Sequence, residues 1–163
     1  FGGIPQNRER LYIVAFRKKE HFDKFQFPLP VNLESSVNDI LSKERTEDKY
    51  YYNWKPLFEK LTQFVKEPNT FYQRRRKYVR QNKSGLCPTL TANMGTGWHN
   101  VPIVKDDFWI RKITPREAFL LQWFPNDFIL PKMADAHLYK QAGNAVTTNV
   151  VQRVGECILK ACV

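Results

Sequence analysis

The six consecutive apolar residues Leu11-Tyr12-Ile13-Val14-Ala15-Phe16 constrain this chain more than any other stretch. A run of that length, rich in β-branched and aromatic side chains, reads as a buried strand. At the other end, Val146, Val150, Val151, Val154, Ile158 and Leu159 form an apolar stripe at helical spacing, which predicts a last helix opening after Gly143-Asn144. Between them the chain is punctuated at Phe27-Pro28-Leu29-Pro30. A short helix is expected near Ser36 to Leu41, and from about 47 to 107 the texture is irregular, aromatic and basic. Thr114-Pro115-Arg116-Glu117 is a capping box with proline at the first helical position, and it predicts a helix to about Trp123, stopped before Pro125.

The charge narrows the function classes. The 163 residues carry 26 Lys+Arg against 16 Asp+Glu, a formal net charge of +10. On a chain that is 42% hydrophobic this is not a disordered basic tail, and it points to a polyanion as partner. No stretch approaches the roughly 18–20 apolar residues of a membrane span, so no membrane partner is expected. Cys87, Cys157 and Cys162 are odd in number and fit no disulfide framework, which suggests a reducing compartment. They share no ligand spacing with His21, His99 or His137, so no metal is expected. The opening Phe1-Gly2-Gly3-Ile4-Pro5 reads as a loop inside a longer protein.

Several segments allow a chemical and a plain reading. In an extended Gln6-Asn7-Arg8-Glu9-Arg10, alternation puts Gln6, Arg8 and Arg10 on one side, as fixed donors for a phosphate or base carbonyl or as a solvated charged turn. Arg74, Arg75, Arg76, Lys77 and Arg80, interleaved with Tyr78, suit a nucleic-acid backbone or an ordinary solvated face. In the run Cys87 to Asn100, Gly95 and Gly97 permit close backbone approach to a ligand, and Asn93 and Asn100 can pair with base edges; the plain alternative is a glycine hairpin. Cys87, followed by proline, reads as a buried small hydrophobe rather than a nucleophile. Gly143 to Asn149 opens a helix whose free N–H groups would attract an anion, or is simply an N-cap.

Three blocks occur in one order: Pro5-Gln6-Asn7-Arg8-Glu9-Arg10, Ile113-Thr114-Pro115-Arg116-Glu117-Ala118 through Phe124-Pro125, and Tyr139-Lys140-Gln141-Ala142-Gly143-Asn144-Ala145-Val146. In that order they resemble the DNA cytosine-5 methyltransferases. Residues 78–102 are similar to recognition regions of bacterial restriction-modification methylases, with Trp98 where glycine is expected. The resemblance implies an α/β fold: the C-terminal part of a Rossmann-like S-adenosylmethionine-dependent domain plus a smaller, mostly β or irregular target-recognition domain. Residues 1–30 would be the last catalytic strands, 31–110 a linker helix and the recognition domain, 111–142 a supporting helix block, and 143–163 a helix returning to the catalytic domain.

The resemblance further implies methyl transfer from S-adenosylmethionine to carbon 5 of a cytosine flipped from a short duplex site. Arg10 would approach cytosine O2, and Arg8 would brace the site and a nearby phosphate. Gln6 would be a supporting polar group, and Asn144, Ala145 and Val146 would face the cofactor. Arg74, Arg75, Arg76, Lys77, Arg80, Thr89, Thr91, Asn93, Gly95, Gly97, His99 and Asn100 would meet double-stranded DNA, Thr89 at a phosphate. The family's glycine-rich loop, Pro-Cys nucleophile and Glu-Asn-Val block are not in this sequence. The expected partner is therefore an N-terminal catalytic half, without which the chain would be inactive and would expose Leu11–Phe16 and its last helix. The expected setting is the bacterial cytosol or nucleoid. A tRNA methylase of the same family and a non-catalytic basic DNA-binding module are the alternatives.

Overall fold

The computed structural model describes residues 2–33, 35–53, 55–75, 77–82, 85–96 and 100–163. Its helices are α1 (Lys19–Lys24), α2 (Phe58–Phe64), α3 (Pro115–Leu120), α4 (Asp135–Asn144) and α5 (Thr148–Cys162). Its strands are β1 (Tyr72–Arg74), β2 (Val79–Gln81), β3 (Ile103–Lys105) and β4 (Ile110–Lys112). The strands form one antiparallel four-stranded sheet in the order β2-β1-β3-β4.

Register sorts the sheet into two faces. Tyr72 pairs with Gln81 and Ile103, Arg74 with Val79, Ile103 with Lys112 and Lys105 with Ile110, so these residues share one face. There Tyr72, Val79, Ile103 and Ile110 pack with Tyr52 and with Leu61 and Val65 of the α2 segment. The other face carries Gln73, Arg80, Val104 and Arg111. Val104 joins the larger core with Phe71, Leu90, Ile113, Phe119, Leu138 and Tyr139. This α/β arrangement is antiparallel throughout its described strands.

The capping box forms as expected: Thr114 Oγ1 accepts from the Glu117 N–H at 3.2 Å and the Glu117 carboxylate accepts from the Thr114 N–H at 2.7 Å. The helix it opens is shorter than expected. It ends at Leu120, and Trp123 adopts a left-handed φ of 65° that turns the chain away. The helix near Ser36 is one 3₁₀ turn, Val37–Asp39.

Two expectations are overturned. Leu11–Phe16 forms no strand, because no described strand lies beside it to pair with, while the exposure expected of it is present: Leu11 and Ile13 are 86% and 84% exposed. Gly143 and Asn144 close α4 instead of opening the last helix, which begins at Thr148. The anion-attracting N–H groups argued for Asn144 are therefore not there, since a helix end presents carbonyls. On α5 only part of the stripe is covered: Val154 is buried, while Val151 and Leu159 are exposed and Val146 lies outside the helix.

Candidate nucleic-acid interface

The Gln6–Arg10 block is tied by its backbone to the segment around Cys87. The Cys87 N–H donates to Pro5 O at 2.6 Å and the Asn7 N–H to Cys87 O at 2.8 Å, a parallel bridge across distant sequence. Thr89 Oγ1 then donates to Asn7 O at 2.6 Å. Buried Gln6 donates through Nε2 to Leu121 O at 2.7 Å.

Arg8 gathers three carbonyls. Nη1 donates to Leu90 O at 2.7 Å, and Nη2 to Gly143 O at 3.1 Å and Ala145 O at 2.6 Å. It thereby joins the block at 6–10, the run after Cys87 and the end of α4, where its charge complements the terminal carbonyls. Burial, then the neighbouring Arg10 charge, lowers its pKa below the ordinary value. Arg10 is exposed, and its Nη1 donates to Glu9 O at 2.6 Å.

Beside this junction lies a polar cleft of about 440 Å³. Arg74, Arg75 and Arg80 reach it from the β1–β2 hairpin, and Thr89, Thr91, Asn93 and Asn100 from the run beyond Cys87. Seven residues assigned to DNA from the sequence therefore meet around one concavity. Exposed Asn93, Asn100, Arg75 and Arg80 face solvent there. Asn100 Nδ2 donates to Asn93 O at 3.2 Å, and Arg75 Nη2 to Gln73 Oε1 at 3.2 Å. No acidic side chain is among the described lining residues.

The remaining assigned residues behave differently. Lys77 is exposed near the hairpin tip but does not line the cleft. Gly95 also lies outside it: a Cβ there would sit 2.9 Å from Lys140 Cβ and nearer still to Ala136 O, so its close approach is to α4 and not to a ligand. Arg76, Gly97 and His99, like Trp98, fall outside the described residues. Cys87 is fully buried, and burial pushes its thiol well above the usual range, which suits a core hydrophobe and disfavours a thiolate nucleophile. Asn144 and Val146 are exposed, and the Asn144 side chain makes no hydrogen bond among the described residues.

Sequence reasoning missed Asn7, Gln73, Asn82 and Pro88 as cleft residues. Asn7 had a signal, since a residue between Gln6 and Arg8 belongs to the opposite side of an extended segment. It also missed Arg111, which is fully buried and supports the whole arrangement. Its Nη1 and Nη2 each donate to the Glu117 carboxylate at 2.8 Å, and Nε donates to Asp106 Oδ2 at 2.6 Å. Burial opposes this charge, and the Glu117 and Asp106 carboxylates more than offset it, so the pKa of Arg111 rises.

The C-5 cytosine-specific DNA methylase family pattern matches residues 1–160. This chain belongs to that family. It is 52% identical over 168 residues to the Type II methyltransferase M.Bsp6I of a Bacillus species, a match covering 99% of this chain and 52% of that protein. To the Type II methyltransferase M.SsoII of Shigella sonnei it is 37% identical over 163 residues, covering 96% and 41%. This chain thus spans about half the length of the curated relatives it matches. A triple mutant of Spodoptera frugiperda DNMT2 shares the fold, with TM-score 0.60 and 15% identity, over 96% of this chain and 54% of that one. The relatives bear out the bacterial restriction-modification character of the ordered blocks. No described helix is long and apolar enough to cross a membrane.

Proposed function

We propose that this chain is the target-recognising portion of a cytosine-5 DNA methyltransferase, acting with catalytic elements supplied from outside residues 1–163. The observation that carries the reading is the polar cleft: arginines, asparagines and threonines converge beside the Arg8–Arg10 segment, with no described acidic lining. Arginines suit the phosphates of a duplex, and asparagine amides suit base edges in the major groove. Arg8, held by three carbonyls, fixes the position from which exposed Arg10 reaches a cytosine turned out of the helix. A charged donor at O2 would stabilise the ring as charge develops on it.

The methyl group comes from S-adenosylmethionine when bound. The residues present fit one edge of such a ligand: the Asn144 amide is unengaged and Val146 is solvent-facing beside it, while Arg8 occupies the Gly143 and Ala145 carbonyls. Buried Cys87 is not the attacking thiol in this proposal. The proposed organisation keeps residues 1–30, 31–110, 111–142 and 143–163 as separate functional segments. The docking of Gly2, Leu29 and α1 onto α5 supports pairing the first with the last.

Arg10→Ala in the complete protein should cut the rate of methyl transfer on the order of a hundredfold, the size of losing one charge-stabilising donor. DNA affinity should change far less, because Arg10 lies outside the cleft. Single-turnover methylation and equilibrium binding measured side by side check this; equal losses in both would remove Arg10 from the reacting centre.

A further inference from the structure

A second cavity opens on the sheet face opposite Gln73 and Arg80, at the meeting of β1, β4 and the loop before α2. Its volume is about 590 Å³, and Tyr50, Tyr52, Lys55, Leu57, Arg74 and Lys112 line it with Pro56. Register places Arg74 and Lys112 on this face. The walls are mostly ring and aliphatic surface, the described lining holds three cations, and no carboxylate is among them.

The cations rest on aromatic rings. Lys112 Nζ lies 5.5 Å from the Tyr50 ring centre and 5.4 Å from that of Tyr139, and Lys55 Nζ lies 5.5 Å from that of Tyr52. Lys55 also donates to the carbonyls of Lys49, at 3.1 Å, and Tyr51, at 2.5 Å. Lys112 has no hydrogen-bond acceptor and no ion-pair partner among the described residues. The nearby carboxylate of Asp135 is engaged by Lys49 at 3.2 Å. Half-buried ammonium groups that share one nearby carboxylate, itself engaged by Lys49, are costly, and an anion entering the cavity relieves both the burial and the mutual repulsion. Burial first, and the Lys55 and Lys49 charges with it, lowers the Lys112 pKa despite Asp135.

Arg74 lines both this cavity and the polar cleft. We infer that the Tyr50–Lys55–Lys112 cavity holds a backbone phosphate of the DNA strand that runs beyond the target site after passing Arg74. This rests on the reading of the cleft as the DNA surface. A strand carries one phosphate per about 3.4 Å of helix axis, so a strand leaving the cleft past Arg74 brings further phosphates to the adjoining cavity. Lysines on aromatic rings hold such a charge without reading sequence, so the cavity lengthens the footprint and does not alter the target.

The test compares two duplexes in the complete protein, one ending at the target site and one extended by a helical turn on each side. Lys112→Gln should weaken binding to the extended duplex and shallow its salt dependence by about 0.9 in log–log slope, the share of one neutralised phosphate. Binding to the short duplex should be unchanged. Lys55→Gln, farther from the buried Tyr139, serves as the second variant should the first disturb folding. A loss of equal size on both duplexes, or none in a folded variant, overturns the inference. Arg75→Gln is the control for the cleft: if it lowers binding to both duplexes while the lysine variants do nothing, only the second cavity is refuted, and if it too does nothing, the cleft reading fails first.

Discussion

Replacing Glu117 with Ala should lower the unfolding free energy by about 3–5 kcal/mol, the usual cost of stranding a buried charge. Glu117 is 2% exposed and its two oxygens accept from Arg111, from the Thr114 N–H and from the Ser42 N–H at 2.9 Å. Removing it leaves the fully buried Arg111 with Asp106 alone and opens the N-terminus of α3. It also releases the 3₁₀ turn before Ser42. Glu117→Gln should cost less, because the amide oxygen still caps Thr114. Substituting both Arg111 and Glu117 by apolar residues should not restore stability fully, since the Thr114 and Ser42 N–H groups, both only partly buried, then lose their carboxylate acceptor. Urea unfolding of the complete protein measures all three. A loss below about 1 kcal/mol for Glu117→Ala would mean that this pair behaves like a surface ion pair.

Gly143→Ala should be the second large effect, with its sign set by competition. Near the end of α4, alanine gains up to about 1 kcal/mol in helix propensity. Against this, a Cβ at Gly143 would sit 2.5 Å from Ala92 N and closer still to the Thr91 carbonyl carbon and oxygen. These are backbone atoms, so no rotamer change makes room. Relief requires α4 to move away from the 3₁₀ turn Ala92–Gly95, which pulls Gly143 O from Arg8. Overpacking of this kind costs about 3 kcal/mol. We expect a net destabilisation together with weaker DNA binding, because Thr91 and Asn93 line the cleft. A thermal midpoint at or above the parent's would show that α4 can shift freely. The glycine in this block is therefore explained by packing within the chain.

The sequence was legible where local chemistry decides. Thr114 and Glu117 are three apart, and the capping box they promise is formed; Cys87 before proline is buried as read. The clustered arginines and the Asn-containing run were each ambiguous alone. The hairpin of β1 and β2 and the bridge from Gln6 to Cys87 bring them together, and neither pairing leaves a mark in local composition. The exposure of Leu11–Phe16 was legible, but its strand was not formed, because apolar content shows what a segment prefers to pair and bury, not whether a neighbouring strand is present. The Gly143–Asn144 boundary failed for a related reason: glycine and asparagine favour helix ends as well as helix starts. Arg111 sits among Trp109, Ile110 and Ile113, and nothing in that local sequence marks its charge as enclosed. Only the fold shows that its charge is enclosed.

The central claim is that the cleft of Arg74, Arg75, Arg80, Asn93 and Asn100 is the surface that meets DNA. Equilibrium binding of the complete protein to its target duplex and to an unrelated duplex, over a range of salt, tests it most directly. With Arg75 and Arg80 both changed to Gln, affinity should fall on both duplexes and the log–log salt slope should shallow by about 0.9 for each phosphate no longer neutralised. With Asn93→Ala, the gap between target and unrelated DNA should narrow by about 1–3 kcal/mol, the worth of one bidentate base pairing. Parent-like affinity, salt slope and discrimination in these variants, all folded, would contradict the account and place DNA on another face.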